Sequence, residues 1–252
     1  MTSRSDDVVV ITGASRGIGA ATAVLAAERG AAVAVNYASD ATAADDVVAR
    51  CAALGAPAFA VRGDVSVEDD VLALFDRVAD EFGPPTVVVN NAGILDQQMR
   101  FEDMTVERWE RIVRVNVIGA FIVAREAVRR MSPRSGGSGG AIVNVSSAAS
   151  YLGSPDEYVD YAASKGAIDS LTIGLAKEVA PDGIRVNAVR PGIIDTAIHA
   201  SGGEPGRVDR LAPSLPMRRG GEAIEVARTI LWLAGDDASY VTGALVNCAG
   251  GR

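Results

Sequence analysis

Short runs of β-branched residues alternate along this chain with longer stretches of helical character, and no other feature constrains the fold as tightly. Val8-Val9-Val10-Ile11 ends at Thr12-Gly13 and reads as a buried strand. Further strands are expected at 32–37, 58–61, 86–90, 141–146, 184–190 and 244–247. Helices are expected between them at 16–29, 40–54, 67–82, 105–131, 159–180 and 222–234, some closed by a glycine such as Gly30 or Gly55. The alternation predicts an α/β fold, a doubly wound parallel seven-stranded sheet with helices on both faces. Ligands of such sheets bind outside the carboxyl ends of the strands, where the strand order reverses. That edge is where chemistry is sought.

Two stretches break the rhythm. Residues 132–140 (SPRSGGSGG) predict a flexible surface loop. Residues 196–216 have no periodicity and hold Gly202, Gly203, Pro205, Gly206, Pro213 and Pro216. An irregular stretch this long in a compact domain is usually functional or mobile, so a substrate lid is expected there.

Charge and composition exclude several functions. The chain has 252 residues, 48% hydrophobic and 22% charged, enough for a packed core without staples. Lys plus Arg number 24 against 32 Asp plus Glu, a net charge of −8. The densest basic cluster, Arg129, Arg130 and Arg134, fits a solvated helix end, so nucleic acid is not an expected ligand. Cys51 and Cys248 make no disulfide framework and lack metal-ligand spacing. His199 is the only histidine, so no metal site and no Ser-His-Asp chemistry is expected, and it reads as a surface group. Residues 1–7 are polar and unlike a signal peptide, and no apolar run approaches membrane length. A cytoplasmic protein without membrane contact is expected.

Four constellations fall on the sheet edge. Thr12-Gly13-Ala14-Ser15-Arg16-Gly17-Ile18-Gly19 lies between the first strand and the first helix, where glycine lets backbone N–H groups approach a phosphate. It lacks the Gly-Lys-Ser/Thr ending of a nucleoside-triphosphate loop. Asn90-Asn91-Ala92-Gly93 follows the fourth strand; its small residues leave room for a flat ligand, and its Asn side chains can tie strands together. Tyr161 and Lys165 stand at i and i+4 of a helix, on one face. A cation near a phenol favours phenolate, so a lowered tyrosine pKa is expected. Ser146-Ser147 ends the fifth strand, and Asn116 lies inside the long helix before it. Taken singly, each also has a bland explanation as a turn, a solvated pair or a cap.

Together the residues resemble the short-chain dehydrogenase/reductases from Val8 to Gly251. TGASRGIG at 12–19, Asp64-Val65, NNAG at 90–93, Asn116, Ser147, YAASK at 161–165 and Arg190-Pro191-Gly192 carry the resemblance. Within that family the chain is similar to the bacterial acyl-carrier-protein-reductase and glucose-dehydrogenase-like branch. One departure is its spacing: Ser147 and Tyr161 are 14 apart where many relatives have 13, which places an extra residue in the loop 153–157. Tyr158 is a rival for Tyr161, but it stands seven residues before Lys165, about 10 Å along a helix, too far to pair.

The resemblance implies a single dinucleotide-binding Rossmann domain over 1–252, with the lid at about 196–216. It implies hydride transfer between a nicotinamide cofactor and a carbonyl or alcohol, with Asn116, Ser147, Tyr161 and Lys165 as the catalytic set. Tyr161 would move the proton, Lys165 would tune it and hold the cofactor, Ser147 would bond the reacting oxygen, and Asn116 would position a water. The cofactor would be held by Gly13, Ser15, Arg16, Gly17, Ile18 and Gly19 of the turn and by Asn36 and Tyr37 of the second strand. Asp64 and Val65 would follow, then Asn90, Ala92 and Gly93, then Tyr161 and Lys165, then Pro191, Gly192, Ile194 and Thr196. NADP(H) is expected over NAD(H), because the second strand ends Val35-Asn36-Tyr37-Ala38-Ser39 with no acid before Asp40. Arg16 offers a planar cation for a 2′-phosphate. The long apolar helix at 105–131 and family resemblance together imply a homotetramer. A cofactor-binding regulator without turnover and a sugar-nucleotide epimerase or dehydratase are the alternative readings. The substrate is left open among small ketones, sugars, steroids and acyl thioesters.

Overall fold

Successive side chains of a strand point to opposite faces, so a strand with core on both sides must be apolar at every position. In the computed structural model, which describes residues 7–252, β1 (Val8–Ile11) is buried throughout. Val9 and Ile11 join the apolar cluster on one face of the sheet, Val8 and Val10 the cluster on the other. The chain continues with α1 (Gly17–Glu28), β2 (Ala32–Tyr37), α2 (Ala41–Ala53), β3 (Ala58–Arg62), α3 (Glu68–Phe82) and β4 (Val87–Asn90). Then come α4 (Val106–Val113), α5 (Ala120–Met131), β5 (Gly140–Val145), α6 (Ala149–Leu152), α7 (Val159–Val179) and β6 (Ile184–Pro191). The last part holds β7 (Ile194–Asp195), α8 (Ile198–Ser201), α9 (Arg207–Leu211), β8 (Gly221–Glu222), α10 (Ala223–Ala234) and β9 (Leu245–Cys248).

The main sheet is parallel and seven-stranded, in the order β3-β2-β1-β4-β5-β6-β9, as the alternation predicts. One face is covered by α1, α2 and α10 through Ala23, Ala27, Val47, Val226 and Ile230. The other is covered by α3, α5 and α7 through Leu74, Phe75, Val123, Met131 and Val179. The order reverses between β1 and β4, which brings the turn at 12–19 beside residues 90–93.

Three elements differ from their expected form. The helix expected at 105–131 contains a π-helical segment, Arg114–Gly119, between α4 and α5. The wider turn carries Asn116 to 1% exposure, a distortion that hydrophobic periodicity does not signal. The stretch 132–140 is pinned rather than loose. Ser132 Oγ donates to Asp182 at 2.8 Å, and the Gly139 amide donates to the Met131 carbonyl at 2.9 Å. The irregular stretch after β6 folds into β7, paired with β8, and the short helices α8 and α9.

Candidate active site

The strand ends are tied together before any ligand is considered. Thr12 Oγ1 accepts from the Asn91 and Ala92 amides, each at 3.0 Å. Asn91 Nδ2 donates back to the carbonyls of Thr12 (2.8 Å) and Gly13 (3.0 Å). Gly13 is left-handed at φ +61, and a Cβ there would lie 2.9 Å from Ala92 Cα, so only glycine fits. Asn36 Oδ1 accepts from the Gly13 amide at 3.2 Å, and its Nδ2 donates to the Gly63 carbonyl at 3.0 Å. Its amide therefore holds the turn, rather than being free for a cofactor as expected.

The end of β5 meets α7 at the second group of residues. Lys165 Nζ donates to the Val145 carbonyl at 2.8 Å and lies 5.6 Å from the centroid of the Tyr161 ring. The Ser147 hydroxyl, which accepts from the Ala149 amide at 3.1 Å, lies near the Tyr161 phenol. Burial pushes the phenol pKa up to about 12, against a smaller lowering by Ser147. That reverses the lowered value expected from the Lys165 neighbour. The cause is desolvation, which also brings Lys165 down to about 8 in spite of the Asp169 carboxylate. Asn116 stands behind this pair. Its Oδ1 accepts from the Ile94 amide at 2.8 Å, and its Nδ2 donates to the Ile94 carbonyl (3.0 Å) and Ser164 Oγ (3.2 Å). Its side-chain amide is thus spent on protein, and a water would have to be held by other atoms of this segment. A Cβ on Gly93 would lie 3.3 Å from Lys165 Nζ and 3.4 Å from Asn116 Oδ1, so the glycine keeps a space open above both.

A cavity of about 540 Å³ runs along this edge. Its lining includes Gly13, Ser15, Arg16, Gly17, Ile18, Asn36, Tyr37, Asp64, Val65, Ala92 and Gly93. Ser147, Tyr161, Lys165, Pro191, Gly192, Ile194 and Thr196 complete the expected residues found there. Gly19 and Asn90, both expected at the cofactor, do not line it. Gly19 packs against Asn91 and the Gly13 carbonyl, where a Cβ would fall 2.7 Å from each. Asn90 is buried, donating to the Ala120 carbonyl (2.9 Å) and Asn144 Oδ1 (3.2 Å), and so ties β4 to β5. Arg16, at the mouth, pairs with Asp40 at 2.6 Å, and Asp40 also caps α2 through the Ala43 amide. Tyr158 is no rival to Tyr161: its hydroxyl turns away to the Gly202 carbonyl at 3.2 Å. The loop before it accommodates its length with left-handed residues at Gly153, Ser154 and Asp156.

Several lining residues were not anticipated individually. Leu95 and Ser154 belong to loops beside the expected mouth. His199 and Arg207 come from α8 and α9, in a stretch with no periodic signal. His199 is not the surface group expected but 8% exposed, with Nε2 on the Ile194 carbonyl at 2.9 Å. Arg207 is 4% exposed and forks onto Glu157 at 2.5 and 2.9 Å. Among the described residues no cluster of His, Cys, Asp or Glu could hold a metal ion, and no helix is long and apolar enough to cross a membrane.

Known proteins share this architecture along its whole length. The family model described as enoyl-(acyl carrier protein) reductase matches residues 13–252. The uncharacterized oxidoreductase YgfF of Escherichia coli is 56% identical over 97% of this chain and 99% of its own. A 3-oxoacyl-[acyl-carrier-protein] reductase of Synechocystis is 38% identical over 100% of this chain and 98% of its own. The crystal structure of a Burkholderia cenocepacia short-chain dehydrogenase in complex with NADP superposes with a TM-score of 0.88. It is 33% identical and covers 98% of each chain. With the family model matched over residues 13–252 and relatives of 38% and 56% identity covered almost end to end, this chain belongs to the short-chain dehydrogenase/reductase family of oxidoreductases.

Proposed function

We propose that the protein transfers hydride reversibly between NADP(H) and a carbonyl or alcohol, with Tyr161 as the proton donor and acceptor. The single observation that carries this reading is the cluster at the end of β5, with Lys165 buried and Ser147 and Tyr161 half-buried. There the Tyr161 phenol meets the Ser147 hydroxyl, with the Lys165 ammonium 5.6 Å from its ring centroid, in the wall of the 540 Å³ cavity. The residues fit a dinucleotide. Gly13 and Gly93 leave bare backbone where a Cβ would close the floor, and the first residues of α1, Gly17 and Ile18, line the cavity, where helix N-terminal amides suit a phosphate. The cofactor supplies the hydride acceptor or donor at its nicotinamide ring.

This chain's own residues move the proton and orient the oxygen. Tyr161 is held neutral by burial, so it is an acid able to give its proton to a carbonyl oxygen that is gaining charge. Ser147 lies near the same phenol in the cavity wall, where its hydroxyl can hold the reacting oxygen against it. The Lys165 cation steadies the phenolate left behind; the Val145 carbonyl fixes it there, and the Asp169 carboxylate favours its charge. Asn116 is a positioning residue: it locks the Ile94 backbone beside the pair. In alcohol oxidation the proton runs the other way.

NADP(H) is preferred over NAD(H) in this reading. No carboxylate stands at the end of β2 to repel a 2′-phosphate, and Arg16 lies at the mouth. Its partner Asp40 is an exposed one, in a pair worth about 1 kcal/mol or less, which a phosphate can displace. The NADP complex of the Burkholderia relative supports the same cofactor. The working form is a homotetramer, since Val113, Ile118 and Phe121 on the α4–α5 rod and Ile173 on α7 are exposed and apolar. The test is a panel of ketones and alcohols followed at the nicotinamide absorbance with each cofactor in turn. Turnover with NADPH favoured in kcat/KM supports the reading. Absence of any hydride transfer, or a higher kcat/KM with NADH, contradicts the activity or the cofactor respectively.

A further inference from the structure

The wall of the cavity formed by α8, α9 and the loop before α7 is polar, and one atom in it lacks a partner. His199 is nine-tenths buried in that wall. Its Nε2 faces a backbone carbonyl, that of Ile194, at 2.9 Å. A carbonyl only accepts, so Nε2 carries the hydrogen and donates. Burial, with Arg207 adding to it, holds the ring's pKa below its ordinary value, against the raising effects of the Ile194 carbonyl, Asp195 and Glu204. In the neutral ring Nδ1 is a bare lone pair, and neither solvent nor any donor among the described residues reaches it. A buried acceptor left so is disfavoured until some donor reaches it.

The neighbours decide what kind of donor. Arg207 and Arg210 are matched by Glu157 and Glu204, through forks and shared oxygens. The charged groups in and behind the wall thus balance, two cations against two carboxylates, and of the four only Arg207 lines the cavity. The wall offers no unmatched cation to a substrate carboxylate and no free carboxylate to an ammonium. Tyr158 donates its hydroxyl to the Gly202 carbonyl, which leaves the oxygen's lone pairs also acceptors. An alkyl tail pressed against this wall would bury these groups without replacing the hydrogen bonds they seek.

Building on hydride transfer at Tyr161, we propose that this wall is a hydroxyl-recognition subsite. A second hydroxyl of the substrate donates to His199 Nδ1, so the substrate class is a hydroxylated ketone or the matching polyol, not an alkyl ketone or a long acyl chain. Nδ1 is itself covered, so the single turn of α8, followed by Gly202 and Gly203, must shift to admit the hydroxyl.

The experiment compares butanone with its 1-, 3- and 4-hydroxy derivatives and with an acetoacetyl thioester, using NADPH and the full-length enzyme. The expected result is a kcat/KM for at least one hydroxybutanone about 10- to 100-fold above butanone and the thioester. His199→Phe should collapse that ratio by a similar factor. His199→Asn, which keeps an acceptor, should restore part of it and guards against a folding defect in the first variant. Equal turnover of plain and hydroxylated ketones, or an unchanged ratio in His199→Phe, would overturn the subsite and leave hydride transfer standing. No turnover of any ketone would overturn both.

Discussion

At the scale of residues, burial moves two partners in opposite directions. It raises the Tyr161 phenol to about 12 and lowers the Lys165 ammonium to about 8. Tyr161 therefore stays an acid across the working range, while the cation beside it is lost as pH rises through about 8. Carbonyl reduction should be flat at lower pH and fall through that point, as a pH profile of kcat/KM would record. The same burial bears on stability. Lys165 sheds its proton more readily folded than unfolded, where its ordinary value is 10.5. The penalty is thus fully present below pH 8 and fades between pH 8 and 10.5. Lys165→Met should melt higher than wild type at pH 7, with the gap closing by pH 10; a gap that widens would refute the buried-cation account. Arg16 and Asp40 make a second residue-scale test. Arg16→Ala should raise KM for NADPH selectively. Asp40→Asn, which keeps an acceptor for the Ala43 amide, should lower it by freeing the guanidinium. Paired steady-state kinetics with both cofactors would decide.

The elements differ in how far the sequence revealed them. The strands were legible because burial on both faces forces a run such as Val8–Ile11 to be apolar throughout. The tyrosine–lysine pair was legible because a spacing of four is enough to set two side chains on one helix face. The π-helical segment at Arg114–Gly119 was not, since one wider turn leaves the apolar periodicity nearly intact. Nor was the burial of His199 and Arg207, because it depends on how α8 and α9 fold back over the strand ends. Those two helices are also where motion is expected. Gln98 and Arg207 tie Glu204 and Glu157 across three separate segments, and we propose that they latch the segment 196–216 as a lid. Hydrogen exchange should be faster in this segment than in β4 or β5 in the apo enzyme and slow when cofactor and substrate bind. Glu157→Gln should speed it further by removing one charge of the latch. Equal and strong protection in both states would rule the lid out.

At the scale of the whole molecule, one edge of the sheet gathers the site and one pair of helices offers an interface. The exposed side chains of Ile118 and Phe121 have no covering layer within the chain, whereas Ile112 and Val123 on the same rod are fully buried. Light scattering should give about four times the 25.9 kDa of one chain, and Phe121→Asp should lower it. A wild-type mass of one chain at micromolar concentration would contradict the tetramer. The catalytic account converges on Tyr161, and its removal is the most direct trial. Turnover and NADPH binding are to be measured side by side for wild type and Tyr161→Phe. The account predicts a kcat lower by about 10²–10⁴-fold with NADPH binding retained. Near-wild-type turnover by Tyr161→Phe would contradict it.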